Sequence, residues 1–413
     1  MKVAIITADF PPEISGAGHL YYELSQDLVS KGHEVTVITR IPRKKLGEQE
    51  RAVFEKYNKR LMMKENIDGI RVIRVTVPKL PLNNPVSKGF AQILTAFSQW
   101  LGGQLAFKPE VVLCYSPPLP CGLSASFLAR QSKVPFVLNV QDIFPQYAID
   151  VGLMSNPILI KMFEELERYL YKRADHIIVH SQGNKDYLVR EREIPQSRLS
   201  VVHNWGDIER ITPSDKHNAF RKEHQLGNHF VVSYAGTIGW AQNVNTVIES
   251  AAILREHKDI LFLIVGDGPL RQELEEKCKS LQLRNVKFLP FQPRDKYPMV
   301  LQASDVSIIS LSSRLTTPVV PGKLMDIMAA GLPVAGCVPL SGDAPRIVEE
   351  AQCGFCVKSD DVDGFAKIIL KLHDNPELVE KLGKNGRRYV EKHFSRAVCT
   401  NGFEEVLKKT VER

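Results

Sequence analysis

Apolar runs of four to eight residues recur along this chain, and their spacing limits the folds open to it. The first half has VAIIT (3–7), EVTVIT (34–39), IRVIRVTV (70–77), EVVLCYS (110–116), FVLNVQD (136–142), HIIVHS (176–181) and LSVVHN (199–204). Such runs do not alternate apolar with polar residues, so each reads as a strand covered on both faces. Helix-like stretches between them, such as His19–Lys31, Pro120–Lys133 and Pro157–Arg173, supply the covers. The pattern stops at HNWGD (203–207), crosses a charged stretch and restarts with FVVSYAG (230–236), LFLIVGDG (261–268), VKFLPF (286–291), VSIIS (306–310), PVAGCV (333–338) and GFCV (354–357). At 413 residues the chain is too long for one ordinary core. The expected architecture is α/β, with two doubly wound, Rossmann-like domains at 1–204 and 207–388 and a segment 389–413 whose helix returns to the N-terminal domain. Ligands of such sheets bind beyond the carboxyl ends of the strands, so the expected site is an interdomain cleft, with a hinge near Asn204–Gly206.

Composition excludes several classes. The chain is 44% apolar and 24% charged, as globular enzymes are. No run approaches the roughly 18–20 apolar residues of a spanning helix. The opening MKVAIITADFPP reads as a first buried strand, and the protein is expected to be cytoplasmic. Cys353-Gly-Phe-Cys356 lacks a second pair or a neighbouring histidine, so it reads as two small buried side chains rather than a zinc or redox site. The window Arg40–Lys64 sets nine basic residues against Glu48, Glu50 and Glu55, and Phe90–Phe107 is amphipathic and aromatic. Basic residues beside such a face suit an anionic membrane surface, with peripheral attachment to the inner face of the cell membrane. The aromatics are not interleaved with the basic residues, which speaks against nucleic acid.

Several strand-end loops could hold a phosphate. In ADFPPEISGAGHLYYEL, Gly16 and Gly18 would let the backbone approach an anion at a helix N-terminus. Gly236 in YAGTIG and Gly266 in GDGPLRQEL occupy similar places. None has the spacing of a dinucleotide fingerprint, and an NAD enzyme is disfavoured. In VVPGKLMDIMAAGLPVAG, Lys323 enters a helix behind a Pro-Gly turn. Its ammonium and the free N–H groups of that turn would converge on a diphosphate, while Asp326, one turn deeper, could accept from both ribose hydroxyls. The plainer reading of this pair is a surface i,i+3 ion pair. SGDAPRIVEEA offers another helix start, with Gly342 at the turn and Arg346 in the first turn. Asp361-Val-Asp363 reads as a helix cap rather than a metal pair, and no metal site is expected.

Taken together, PPEISGAGHLYYELSQDLVSKGHEVTVIT, NVQDIFPQ, VVHNWGD, YAGTIG, GDGPLRQEL, VVPGKLMDIMAAGLPVAG and SGDAPRIVEEAQCGFCV resemble the GT-B glycosyltransferases of family 4, the large retaining group. They cover nearly the whole chain in the family's order and are most similar to bacterial surface-polysaccharide transferases for N-acetylated deoxyhexosamines. The resemblance implies a nucleoside diphosphate sugar, usually UDP-linked, bound mainly by the C-terminal domain. It also implies an acceptor near the N-terminal domain, retention at the anomeric carbon, and no required metal; the acceptor is expected to be a saccharide or polyprenyl-linked, and no cofactor is expected. The chain departs from the family pattern at several places. The paired glutamates fall on Pro318 and Asp326, and an arginine and lysine after the second domain's first strand fall on Thr237 and Gln242. The region of the usual histidine reads Gln141-Asp142. Lys323 and Arg346 are then the expected substitute cations, with Asp142 and Glu13 as candidates to orient the acceptor hydroxyl. A nucleotide-sugar 2-epimerase of the same fold and a non-enzymic sugar-nucleotide-binding protein remain alternatives.

Overall fold

The computed structural model describes residues 1–13, 15–42, 62–76, 85–104 and 108–413, with the side chains of 85–90 left aside. Residues 43–61, most of the basic window, lie outside the described residues, as does Phe107. The chain divides into two compact units. The first comprises Met1–Ile149, Met154–His203 and Thr400–Arg413; the second comprises Asp150–Leu153 and Asn204–Cys399.

The first unit holds β1 (Lys2–Ile6), β2 (Glu34–Arg40), β3 (Met62–Ile67), β4 (Ile70–Val75), β5 (Val111–Ser116), β6 (Phe136–Val140), β7 (His176–Val179) and β8 (Leu199–Val201). They form one sheet in the order β3-β4-β2-β1-β5-β6-β7-β8. Every pairing is parallel except β3 with β4. The switch of direction between β1 and β5 places the ends of these two strands at a topological crevice. Val3, Ala4, Ile5 and Ile6 are wholly buried, as an interior strand between two helical layers requires. β3 was not anticipated from the sequence. It is a polar edge strand, MMKENI, joined to β4 through Asp68 and Gly69, both at positive φ (51° and 82°). That Asp-Gly pair is the usual chemistry of a two-residue hairpin turn.

The second unit holds β9 (Phe230–Ala235), β10 (Ile260–Val265), β11 (Val286–Leu289), β12 (Val306–Ser310), β13 (Val334–Cys337) and β14 (Gly354–Val357). Their order is β11-β10-β9-β12-β13-β14, all parallel. Here β9 and β12 flank the switch point. The helix Pro376–His393 belongs to this unit. Gly383 allows it to lie on the Gly331 carbonyl, and Arg387 donates to the carbonyls of Ala329 (2.8 Å), Ile211 (2.9 Å) and Ile208 (3.0 Å). In the first unit, Glu404 of the closing helix Arg396–Val411 pairs with Lys31 at 2.8 Å and His33 at 2.9 Å. The bonds from Lys31, from Lys408 of its own helix (2.5 Å) and from His33 hold its carboxyl at about 2, well below the usual range.

Candidate functional site

In the second unit two strand-end loops interlock through glycines. Gly236, Gly266 and Gly268 have φ of 148°, 151° and 156°, a region that L side chains rarely enter. A Cβ on Gly266 would lie 1.8 Å from the Gly236 carbonyl oxygen, and one on Gly268 would lie 2.3 Å from that of Ile238. The Ile238 N–H donates to Asp267 O (2.9 Å) and the Leu270 N–H returns to Ile238 O (3.2 Å). The space where a Gly266 side chain would stand is therefore filled by the chain's own backbone. At Gly236 the space is different, for a Cβ there would lie 2.7 Å from Lys323 Nζ.

Lys323 begins the helix Lys323–Ala329 and sends its ammonium back beneath this loop. Nζ is shut off from solvent and has no hydrogen-bond partner among the described residues. It lies 3.6 Å from the centre of the Tyr234 ring, whose hydroxyl donates to Thr237 O at 2.6 Å. The ring face attracts a cation, but the loss of water costs more and pushes the amine down to about 7. A buried ammonium without an acid is expensive, and such groups gather where a ligand supplies the missing charge.

Asp326 is three residues on, yet no ion pair joins it to Lys323, and neither makes the surface pair considered above. The Asp326 carboxylate accepts from the Asp207 N–H and the Tyr297 hydroxyl, and Arg294, which binds Asp207 at 2.9 Å, is close enough to act on its charge. Burial dominates and pushes its carboxyl up to about 6. Gly342 precedes the helix Asp343–Glu350, whose first turn already carries buried Asp343. Arg346 is half-exposed and paired with Asp343 (2.9 Å) and Glu350 (3.6 Å), so its charge is neutralised within its own helix. Arg346→Ala is expected to lower stability by about 1–3 kcal/mol in chemical denaturation, because it takes this cation from the buried Asp343 carboxylate.

The first unit shows how little room its glycines leave. Ser15 caps the helix Gly16–Ser30 by accepting from the Gly18 N–H at 2.9 Å. A Cβ on Gly18 would lie 2.9 Å from Ser15 Oγ and 3.2 Å from the Asp9 backbone, whereas one on Gly16 would meet nothing. Of this pair, Gly16 leaves open space among the described residues, and the position of Gly18 serves the cap. Glu13 is buried and bonded to Arg40 at 3.2 Å, which also holds Asp9 at 2.5 Å. Glu13 is thereby part of an ion-pair cluster behind β1 and β2. Asp142, at the end of β6, is partly buried beside Tyr115 and Tyr147, and desolvation pushes it up to about 6.

Cys353 is buried and Cys356 partly so, and burial pushes both thiols up to about 12, away from the thiolate that redox or zinc chemistry needs. Among the described residues, no cluster of histidines, cysteines and acids is arranged to hold a metal. Asp361 caps the helix Val362–His373 by accepting from the Gly364 N–H. The sequence reading gave no role to Tyr234, Tyr297, Arg294 or Asp207. Two of them lie in segments already singled out, YAGTIG and HNWGD, but only the folded chain brings Tyr234 under Lys323 and Asp207 to Asp326.

Comparison with known proteins supplies an independent line. Residues 215–389 match the family model described as glycosyl transferases group 1, and residues 15–205 match that of the glycosyl transferase 4-like domain. WcaI of Escherichia coli K12, a glycosyl transferase provisionally assigned to colanic acid biosynthesis, is 27% identical over 80% of this chain and 82% of its own length. The UDP-Gal:alpha-D-GlcNAc-diphosphoundecaprenol alpha-1,3-galactosyltransferase of Escherichia coli is 23% identical over 77% of this chain and 79% of its own. Among solved structures, HepE of Anabaena in complex with UDP superposes with a TM-score of 0.72 at 17% identity, over 99% of this chain and all of that one. The two Rossmann-like sheets are those of the GT-B fold.

Proposed function

We infer the reaction from one premise: the chain belongs to the group 1 glycosyltransferases, with a glycosyltransferase 4-like N-terminal domain, and serves polysaccharide or glycoconjugate biosynthesis. The donor is a nucleoside diphosphate sugar, UDP-linked, and the acceptor a saccharide on a polyprenyl diphosphate carrier. UDP is what HepE holds, and both partners appear in the name of the galactosyltransferase relative. One observation supports the donor site: the buried ammonium of Lys323, without a partner among the described residues, beneath the Gly236 loop. It takes the place of the two cations that the family pattern would put at Thr237 and Gln242. A diphosphate there would complete its hydrogen bonds, and the ammonium would stabilise charge as the sugar leaves. Asp326, fixed by Asp207 and Tyr297, retains lone pairs for ribose hydroxyls. Gly236 gives the loop its close approach. Arg346 and Glu13, already paired, contribute positioning.

The transfer proceeds with retention. The bond from the anomeric carbon to the diphosphate oxygen breaks, and the acceptor oxygen bonds to that carbon from the same face. The acceptor proton passes to the departing phosphate oxygen. Asp142 orients the acceptor hydroxyl. Desolvation pushes its carboxyl up to about 6, so above that pH it is ionised and can accept from that hydroxyl. Asp142→Asn is expected to lower kcat by about 10²- to 10⁴-fold while UDP binding, followed by calorimetry, stays as in wild type.

The direct test is turnover of a UDP-sugar panel with a polyprenyl diphosphate N-acetylhexosamine acceptor, with the product's anomeric configuration read by NMR. Release of UDP with the donor's configuration kept in the product is expected. An inverted product would overturn retention, and an epimerised sugar nucleotide formed without acceptor would overturn transfer in favour of a 2-epimerase.

A further inference from the structure

Over its described side chains, the helix Pro85–Gln104 of the first unit turns small residues inward and three large apolar ones outward. Within 91–104 the side facing the fold carries Ala96, Gln99, Gly102 and Gly103. A Cβ on Gly102 would lie 2.7 Å from Val75, and one on Gly103 3.0 Å from Leu128 and 3.2 Å from Ile38, so the helix sits low on the sheet and on the neighbouring helix Pro120–Ser132. Gln99 fixes this orientation. Its Nε2 donates to Thr7 O at 2.9 Å, and its Oε1 accepts from Ser124 at 3.4 Å. The water side carries Ile93, Phe97 and Leu101, 40%, 58% and 48% exposed, at i, i+4 and i+8 along one stripe. A surface helix of a soluble domain has the opposite arrangement.

The stripe has company. Phe127, 45% exposed, stands on the helix Pro120–Ser132. The helix Pro157–Arg173 packs on the far side of that one, with Leu170 against Gly122, and exposes Ile158 and Met162. These helices connect β4 to β5, β5 to β6 and β6 to β7, steps in one direction across the sheet, so right-handed crossovers place them on the same face. Charge points to the occupant. Neither Pro85–Gln104 nor Pro120–Ser132 contains an aspartate or glutamate, while Arg130 and Lys133 are exposed beside Phe127. On the third helix, exposed Glu165 is paired with Arg168 at 2.6 Å, and Lys161 is exposed.

We propose that this helical face docks on an anionic lipid bilayer, with the apolar stripe in the interfacial region and Arg130, Lys133 and Lys161 against the headgroups. A second copy of the chain would set the same basic, largely acid-free face against itself, whereas an anionic surface complements it. The aromatic segment read from the sequence thus divides, for Phe97 faces outward and Trp100 packs against the core. A lipid-linked acceptor would be met at such a surface. The docking does not rest on the donor reading, since none of the residues assigned to donor or acceptor stands on these three helices.

Flotation of the full chain with vesicles of phosphatidylcholine and phosphatidylglycerol (3:1), and with phosphatidylcholine alone, tests it. Wild type is expected to float with the mixed vesicles, less so at high salt and with the neutral ones. Phe97→Glu/Leu101→Glu should lower binding at least about tenfold, and Arg130→Gln/Lys133→Gln several-fold on anionic vesicles only, with the UDP-induced thermal shift kept in both. Both positions of the first variant face water, so folding is expected to survive; should it not, the second variant decides. Equal flotation of wild type and variants would overturn the proposal, as would no flotation of wild type. A wild-type dimer in sedimentation that Phe97→Glu/Leu101→Glu dissociates would make a second copy the occupant instead. Failure of the donor reading would be separately visible as a protein that floats but shows no shift with UDP.

Discussion

Lys323→Met is expected to lower sugar transfer by about 10²- to 10³-fold and, in the same protein, to raise the melting temperature without ligand. The two effects share a cause. Without donor, Lys323 Nζ is buried and meets no acceptor among the described residues, and its contact with the Tyr234 ring does not replace one. Methionine fills similar space without the charge, which relieves a cost of about 1–4 kcal/mol, or several degrees in a domain of this size. The pH dependence follows. The ordinary lysine value is 10.5 and the folded-state value about 7. Between them the unfolded chain holds a proton that the folded chain does not, so wild-type stability rises with pH across that window. The variant should lack this rise. Thermal melts from pH 6 to 10 on both proteins would show it, and a variant that melts lower than wild type at every pH would contradict it.

Gly266→Ala should have the largest effect on folding. A Cβ would lie 1.8 Å from the Gly236 carbonyl oxygen, at φ 151°, and the two loops cannot part without breaking the Ile238–Asp267 and Leu270–Ile238 bonds. A loss of about 3–5 kcal/mol, confined to the second unit, is expected. Hydrogen exchange read by mass spectrometry separates the units: amides of β9, β10 and β12 should exchange faster, and those of β1, β5 and β6 should not. Gly16→Ala is the contrast, for its Cβ meets nothing, and it should stay within about 0.5 kcal/mol of wild type. Equal behaviour of the two glycines would remove the interlocked-loop account.

Strands buried on both faces announce themselves, and the apolar runs located thirteen of the strands closely. β3 escaped because an edge strand needs no apolar run; its signal was the Asp68-Gly69 turn. The second unit's length past residue 388 escaped too, because the contacts that hold Pro376–His393, from Gly383 and Arg387, reach residues 50 or more positions earlier. At the candidate site, a lysine behind a Pro-Gly turn suggested a phosphate, and its burial could not be read until Tyr234 and Gly236 lay over it. The glycines looked alike in sequence. Packing separates them: Gly236 faces an ammonium, Gly266 a carbonyl, Gly18 a serine and Gly16 open space. The charges of Glu13 and Arg346 looked available because their partners, Arg40 on another strand and Asp343 one turn back, compete for them only once the chain is folded.

The central claim is that Lys323 awaits a diphosphate, and calorimetry of UDP binding tests it most directly. Titrations of wild type and Lys323→Met at pH 8, in two buffers of different ionisation enthalpy, would count the protons taken up. The account predicts that wild type binds UDP with uptake of a proton onto Lys323, that affinity falls as pH rises above about 7, and that the variant loses at least about tenfold in affinity together with the uptake. UDP binding by Lys323→Met with wild-type affinity and the same proton count would contradict it.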